Sequence, residues 1–171
     1  MGRLDITIKI GGEAGQGLQT IGQLLSKAFA RKGLNVFAAQ ALQSRIRGGH
    51  NWFQIRVSDK QVLAPVDTTD ILIALDTEST PHLKELTKNS ITIFDSTLAP
   101  IDINRGLKLD IPLEKTAKDA GGTKLMSNTV AVGAVLGILE LDINVLFDLI
   151  RERFGDKGKE IAEGNIKVAQ A

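Results

Sequence analysis

The segment Ser44-Arg45-Ile46-Arg47-Gly48-Gly49-His50-Asn51 carries the most chemical capacity in the chain. In an extended backbone its two arginines lie on the same side, because side chains alternate along such a chain. Two planar guanidinium forks can hold one carboxylate or phosphate. The glycines let the chain turn or approach a neighbour closely, and the last two residues add hydrogen-bonding groups. The candidate binding residues are Arg45, Arg47, Gly48, Gly49, His50 and Asn51. In the alternative interpretation, the arginines are solvated or paired with carboxylates and the glycines only turn the chain.

A glycine-rich turn, residues 11–17, follows the predicted first strand and precedes the predicted first helix. Backbone N–H groups and the helix dipole converge at such turns and attract anions. A phosphate-binding P-loop needs Lys and Ser/Thr after its second glycine, but Leu18 and Gln19 stand there. A dinucleotide fingerprint needs a third glycine where the chain has Thr20, and the strand ending at Gln40 offers no acidic residue for a ribose. The turn is therefore either structural or faces an anion or a partner. Its candidate binding residues are Gly12, Gly15 and Gly17.

An independent active site is not visible in the sequence. No nucleophile stands beside a base, and Asp67, Asp70 and Asp76 are typical of strand ends and helix caps. His82 has no metal-ligand spacing to His50. The chain contains no cysteine, which excludes disulfides, cysteine-ligated iron–sulfur clusters and a cysteine nucleophile. We expect no catalytic residue and no metal site in this chain.

Composition narrows the class of protein further. The 21 Lys and Arg residues nearly balance the 20 Asp and Glu residues, so no global field draws the chain onto nucleic acid or an anionic membrane. The apolar stretch Val130 to Leu139 is about half of the roughly 20 residues that cross a bilayer. The N-terminus lacks the apolar core of a signal peptide. We expect one cytoplasmic domain that covers residues 1–171.

The first half of the chain alternates strands with other elements. Leu4 to Ile10 predicts a strand, Leu18 to Lys32 a helix ended by Gly33, and Leu34 to Ala38 a second strand parallel to the first. Asn51 to Val57 alternates apolar and polar residues, which together with Val62 to Ala64 predicts an antiparallel hairpin. Trp52 lies on the polar side of that strand. It is either an interface anchor or is covered by a C-terminal helix.

The second half contains buried strands followed by helices. Asp70 to Leu75, Ser90 to Phe94 and Leu107 to Ile111 predict strands, and Thr77 to Lys88 predicts a helix. Beyond a helical turn that Pro112 opens, helices are predicted from Ser127 or Asn128 to Leu141 and from Ile143 to Phe154. Gly133 and Gly137 leave a smooth stripe for a neighbouring element. The predicted fold is α/β, with a mixed, mostly parallel sheet, flanking helices and a helical C-terminal third.

In this order along the chain, the glycine turn, the Arg-Gly-Gly-His-Asn segment, the strand Phe53 to Ser58 and the Asn128 helix resemble the gamma subunit of 2-oxoacid:ferredoxin oxidoreductases. The resemblance extends over nearly the whole chain. It covers enzymes of the pyruvate, 2-oxoglutarate and 2-ketoisovalerate types.

The resemblance implies a subunit that is inactive alone, within a complex that oxidises a 2-oxoacid to an acyl-coenzyme A. Such complexes use thiamine diphosphate with Mg²⁺, iron–sulfur clusters and coenzyme A. The implied partners are an alpha subunit, a thiamine-binding beta subunit, a ferredoxin-like delta subunit and ferredoxin itself. The resemblance also implies a place for the candidate binding residues near the coenzyme A entrance. The alternative function is a stand-alone nucleotide- or coenzyme A-binding module without redox activity.

Overall fold

The computed structural model describes residues 4–13, 15–42 and 51–171, and only the backbone of Lys157. The described chain forms a six-stranded sheet with helices on both faces. The strands are β1 (Asp5–Gly12), β2 (Asn35–Ala41), β3 (Asn51–Ser58), β4 (Thr69–Ala74), β5 (Leu86–Phe94) and β6 (Leu107–Asp110). The α-helices are α1 (Leu18–Arg31), α2 (Leu113–Asp119), α3 (Ser127–Ile138), α4 (Asn144–Phe154) and α5 (Lys159–Gln170). The segment Thr77–Glu85 forms a long 3-10 helix.

The strands lie in the order β2-β3-β1-β4-β5-β6. β1, β4, β5 and β6 pair in parallel, whereas β3 pairs antiparallel with both β1 and β2. Five strands therefore run in one direction and β3 runs in the other. The predicted α/β fold, with a mixed and mostly parallel sheet and a helical C-terminal third, is confirmed.

The five α-helices of the described residues share one face of the sheet, where the main hydrophobic core lies. Ile21, Leu25 and Phe29 of α1 are almost completely buried there, as the predicted spacing of the apolar residues requires. Each such side chain contributes about 1.5–3 kcal/mol by leaving water. Gly22 of α1 lies directly on the ring of Phe53, so a side chain at this position would collide with β3. Burial on this face fixes α1 across β1 and β3.

A smaller apolar cluster lies on the opposite face of the sheet, beneath the 3-10 helix and the segment that follows β5. Its buried members are Leu72, Ala74, Leu86, Phe94 and Ile103. Both faces of β4 are therefore covered, which explains its nearly continuous apolar sequence from Ile71 to Ala74.

The predicted hairpin between Asn51 to Val57 and Val62 to Ala64 is wrong. β3 pairs with β1 and β2 instead, and residues 62–64 lie outside any strand. Phe53, Ile55 and Val57 all point into the main core, and a central position in the sheet buries them more fully than an edge hairpin would. As a result β1 and β2 run parallel, as predicted, but β3 lies between them.

The predicted helix Thr77 to Lys88 is also wrong in type and length. The segment is a 3-10 helix that ends at Glu85, because β5 begins at Leu86 and that side chain is buried in the sheet. Pro81 lies in the middle of the helix and has no backbone N–H to donate.

The glycine stripe on α3 behaves as predicted at one of its two positions. A side chain at Gly133 would meet the backbone oxygen of Ala169, so α5 does approach α3 closely there. A Cβ atom at Gly137 would meet no atom of the described residues within 4 Å. α3 ends at Ile138, three residues before the predicted end at Leu141. Across the described residues, no helix is both long enough and apolar enough to span a membrane.

Candidate functional site

A crevice lies at the carboxyl ends of the neighbouring strands β1 and β4. The chain leaves β1 through the glycine turn into α1, on the face of the main core. It leaves β4 into the 3-10 helix on the other face, where Ser79 and His82 lie against Gly11. Neighbouring parallel strands whose connections depart to opposite faces open a crevice at this point, and α/β proteins bind ligands there. The glycine turn lies at this crevice.

Two glycines of the turn have backbone conformations that other residues rarely adopt. The φ angles of Gly15 and Gly17 are 91° and 76°. Gly17 is also the N-cap of α1, and it has no side chain to bond the first backbone N–H groups of the helix. The N-terminus of α1 follows the end of β1 at the crevice, where the positive end of the helix dipole favours an anion.

Side chains from both sides of the crevice fix the shape of the turn. The backbone N–H of Glu13 donates to Asp76 Oδ2 at 2.8 Å and to Gln16 Oε1 at 2.9 Å. Asp76 Oδ1 also accepts the N–H of Glu78 at 2.9 Å, so one carboxylate bonds the turn and caps the 3-10 helix. The interpretation of Asp76 as a cap is confirmed, and its bond to the turn is an additional role.

Asn128, near the start of α3, completes the frame of the turn. Its Nδ2 donates to the backbone oxygen of Gln16. A Cβ atom at Gly17 would lie only 2.8 Å from the same nitrogen. The start of α3 is therefore tied to the start of α1, and glycine at position 17 leaves room for this bond.

A first pocket of about 590 Å³ opens on the α3 side of the turn. Its lining combines polar side chains with four leucines, of which Leu125 is 86% exposed. Lys124 lies at this pocket and pairs with Glu114 at 2.7 Å. The residues that line it are Gly15, Gln16, Gly17, Thr20, Leu75, Asp76, Leu98, Leu113, Glu114, Lys124, Leu125, Ser127 and Asn128.

A second pocket, of about 430 Å³, lies on the other side of the same turn. Gly15 and Gly17 line it together with Leu42 and Asn51, the two described residues that flank segment 43–50. Asn51 is buried at the start of β3 and lies opposite Gly12 of β1. The glycine turn and the end of the arginine segment therefore meet at the carboxyl end of β1.

Five of the six candidate residues in the arginine segment lie outside the described residues. These are Arg45, Arg47, Gly48, Gly49 and His50. The described candidates, Asn51, Gly12, Gly15 and Gly17, are all at the crevice. Sequence reasoning did not select Gln16, Asp76 and Asn128 as site residues. The position of Asp76 directly after a buried strand could have indicated a site residue. Its bond to a turn 63 residues earlier could not be predicted from the sequence.

A compact set of charged and aromatic side chains lies on the sheet face beneath the 3-10 helix. Lys9 Nζ contacts Glu85 Oε2 at 2.5 Å, and His82 Nδ1 lies 2.9 Å from Glu85 Oε1. Lys9 Nζ also lies 5.0 Å from the ring centre of Trp52, which meets the His82 ring edge-on. Burial works against ionisation of Glu85, but the hydrogen bonds and charges of Lys9 and His82 lower the pKa of its carboxyl group. These contacts hold the 3-10 helix on the sheet.

The expected cover of Trp52 by a C-terminal helix is therefore wrong, since the 3-10 helix supplies its neighbour His82. Trp52 is half-buried rather than exposed.

A family model described as "Pyruvate ferredoxin/flavodoxin oxidoreductase" matches residues 7–171. The chain belongs to this family. Among its relatives, the 2-oxoglutarate synthase subunit KorC of Archaeoglobus fulgidus is 31% identical, over 96% of this chain and 84% of that subunit. The ketoisovalerate oxidoreductase subunit VorA of Methanothermobacter marburgensis is 30% identical, over 98% of this chain and 36% of that subunit.

Solved structures of family members have the same fold. The 2-oxoglutarate:ferredoxin oxidoreductase of Magnetococcus marinus, with 2-oxoglutarate, coenzyme A and succinyl-CoA bound, aligns with a TM-score of 0.87 at 26% identity. The alignment covers 99% of this chain and 30% of that one. The keto/oxoacid ferredoxin oxidoreductase gamma subunit of Geobacter sulfurreducens aligns with a TM-score of 0.82 at 24% identity, over 98% of this chain and 93% of that one. The resemblance to a subunit of the 2-oxoacid:ferredoxin oxidoreductases is thus confirmed by the family model and by KorC. The chain spans about a third of the length of VorA and of the Magnetococcus marinus protein.

Proposed function

We propose that this chain is the gamma subunit of a 2-oxoacid:acceptor oxidoreductase complex and has no activity alone. The family match covers almost the whole chain, and KorC, a subunit of similar length, is named for 2-oxoglutarate synthesis. The sequence shows no independent catalytic set. The proposal treats residues 1–171 as a single domain that works in the cytoplasm. Its partners are alpha, thiamine-binding beta and ferredoxin-like delta subunits, with ferredoxin as the electron acceptor.

The proposed role of the chain within the complex is to help form the entrance for coenzyme A. The observation that carries this role is the meeting of Gly12 and Asn51 at the crevice, with the N-terminus of α1 beside them. The open N–H groups and the left-handed Gly15 and Gly17 fit a phosphate group of coenzyme A. Coenzyme A, when bound, supplies the thiol that takes the acyl group.

Arg45 and Arg47 are proposed to hold a second anionic group of that ligand, with the help of Gly48, Gly49 and His50. The segment that contains them ends next to Asn51, which lines the pocket beside the turn. Two arginine forks match the charge and the planar oxygen geometry of phosphates.

The other cofactors of the complex belong to the partner subunits in this proposal. The chain has no cysteine, so it supplies no thiolate for an iron–sulfur cluster. Among the described residues, no three His, Asp or Glu side chains are grouped as ligands for a metal ion such as the Mg²⁺ of thiamine diphosphate. The electron path and the decarboxylation step therefore need the subunits that carry those groups.

Reconstitution tests the proposed function. The purified chain should show no 2-oxoacid-dependent reduction of a dye, and activity should appear when the thiamine-binding and cluster-bearing subunits are added. Titration of the free chain with coenzyme A, NAD, FAD and ATP separates this proposal from the stand-alone module. Turnover by the isolated chain, or tight binding of a dinucleotide by it, would contradict the proposal.

A further inference from the structure

The two edges of the sheet differ in how well they are protected against pairing with another strand. β6 forms one edge with only four residues, two of which, Lys108 and Asp110, are charged. β2 forms the other edge with seven residues and pairs with β3 without interruption. Natural edge strands are normally blunted by charge, proline, bulges or short length. β2 has none of these features.

The uncharged stretch extends beyond β2 on both sides, from Leu34 to Leu42. Several of its side chains remain accessible although they are apolar. Phe37 is half-buried, Ala38 is exposed, and Leu42 is 56% exposed. In the described part of the chain, β2 is bonded to a strand on one side only. Its outer backbone groups and these side chains together form a ready pairing surface.

The stretch is complementary to itself when it is turned about a two-fold axis through Ala38. In an antiparallel pair of this register, Phe37 faces the small Ala39 of the other copy on one side of the sheet. On the other side Leu34 faces Leu42, and Val36 faces Gln40. The Cβ atoms of directly opposed residues in antiparallel strands lie about 4.5–5.5 Å apart, so the large Phe37 packs well against the small Ala39. No charge is opposed or left unpaired.

We propose that β2 pairs antiparallel with β2 of a second copy of this chain, centred on Ala38. Two six-stranded sheets then form one continuous sheet across the dimer. A two-fold interface uses the same surface patch on both copies, and the self-complementary sequence of β2 meets that condition. The absence of charge also gives the edge no means of selecting a charged strand from another protein. This inference does not depend on the proposed function.

Charge substitution at the two-fold axis tests the dimer. Ala38 is exposed, so the variants Ala38→Lys and Ala38→Glu should fold, which circular dichroism checks. In the dimer the new charge at position 38 lies opposite the same charge on the other copy, and the two repel each other. We therefore expect sedimentation equilibrium to give an association constant that is roughly tenfold or more lower. An equimolar mixture of the two variants should dimerise again, because lysine then faces glutamate. Ala171→Lys adds the same charge beyond α5 and should leave the wild-type dimer unchanged.

Several outcomes would overturn the inference. A wild-type chain that stays monomeric at high micromolar concentration has no such dimer. Dimers that persist in both Ala38 variants use another surface. Variants that are folded and monomeric singly, and remain monomeric when mixed, show that the two copies do not meet at Ala38.

Discussion

Gly12, the last residue of β1, lies directly opposite Asn51, the first residue of β3. This pairing brings together two segments that are nearly forty residues apart in the sequence. One is the glycine turn that opens α1, and the other is the end of the arginine segment. A ligand or partner that contacts one of these segments at the carboxyl end of β1 is therefore within reach of the other.

Replacing Arg47 with alanine tests the proposed anion site. We expect Arg47→Ala, and to a smaller extent Arg45→Ala, to raise the apparent KM for coenzyme A or to weaken assembly by roughly tenfold to a hundredfold. Loss of one charged hydrogen-bonding group costs about 1–3 kcal/mol. The thermal stability of the free chain should not change. Arg153→Ala, on the exposed side of α4, is the control and should leave kinetics and assembly unchanged. Wild-type assembly and kinetics in the double arginine variant would refute the site.

Replacing Gly17 with alanine tests the frame of the glycine turn. Gly33→Ala is the matched control, since the two φ angles are 76° and 78° but a Cβ atom at Gly33 would meet no described residue within 4 Å. Both variants should lose about 1–2 kcal/mol through left-handed strain. Gly17→Ala should lose about 1 kcal/mol more, because its Cβ displaces Asn128 from Gln16. Urea unfolding measures both losses. Equal losses, or a further loss when Asn128→Ala is added to Gly17→Ala, would contradict this account.

The two glycines of α3 should respond in opposite directions to alanine. Gly133→Ala places a methyl group against the backbone oxygen of Ala169, so α5 must move and the loss should be about 1–3 kcal/mol. Gly137→Ala meets no neighbour among the described residues and should stabilise the chain by up to about 1 kcal/mol, because alanine favours a helix more than glycine does. Thermal unfolding of the two variants gives the comparison. Stabilisation by Gly133→Ala would show that α3 and α5 are not in contact at Ala169.

Glu85 should make folding stability depend on acidity. Its pKa in the folded chain is lowered from 4.5, so its contribution is present above that value and is lost as the pH falls through the folded pKa. The groups that face it are Lys9, His82 and Thr69. We expect Glu85→Gln to flatten the decline of the free energy of unfolding below about pH 4.5. Glu163→Gln, which removes a carboxylate from an exposed ion pair with Arg151, is the matched control. Urea unfolding at a series of pH values from acid to neutral measures the free energy of unfolding of each variant. An equal dependence of this free energy on pH in the two variants would count against this role for Glu85.

Patterns that are local in sequence predicted local structure well. The spacing of Ile21, Leu25 and Phe29 located α1 and its buried face, and Gly33 marked its end. The continuous apolar run after Asp70 located β4. In each of these cases the side chains that decide the structure lie within one turn or one strand.

Pairing between distant segments could not be predicted in the same way. The alternation in β3 indicated a strand with one apolar face, but it carries no information about which neighbours bond its backbone. The short apolar run at Val62 suggested a nearby partner, whereas burial of Phe53 against Gly22 favours the centre of the sheet. The bond between Asp76 and Glu13 joins residues 63 apart, and only the completed sheet brings them together.

The place of β3 between β1 and β2 also determines the order in which the sheet can be assembled. β1 and β2 have no bond to each other, and both bond to β3, which ends at Ser58. A growing chain that has left the ribosome only as far as β2 can form α1 but has no neighbouring strand for either β1 or β2. Formation of this half of the sheet must therefore wait until β3 has been synthesised. Until then the apolar side chains of Ile8, Ile10 and Val36 stay exposed to water and can bind chaperones or aggregate during translation.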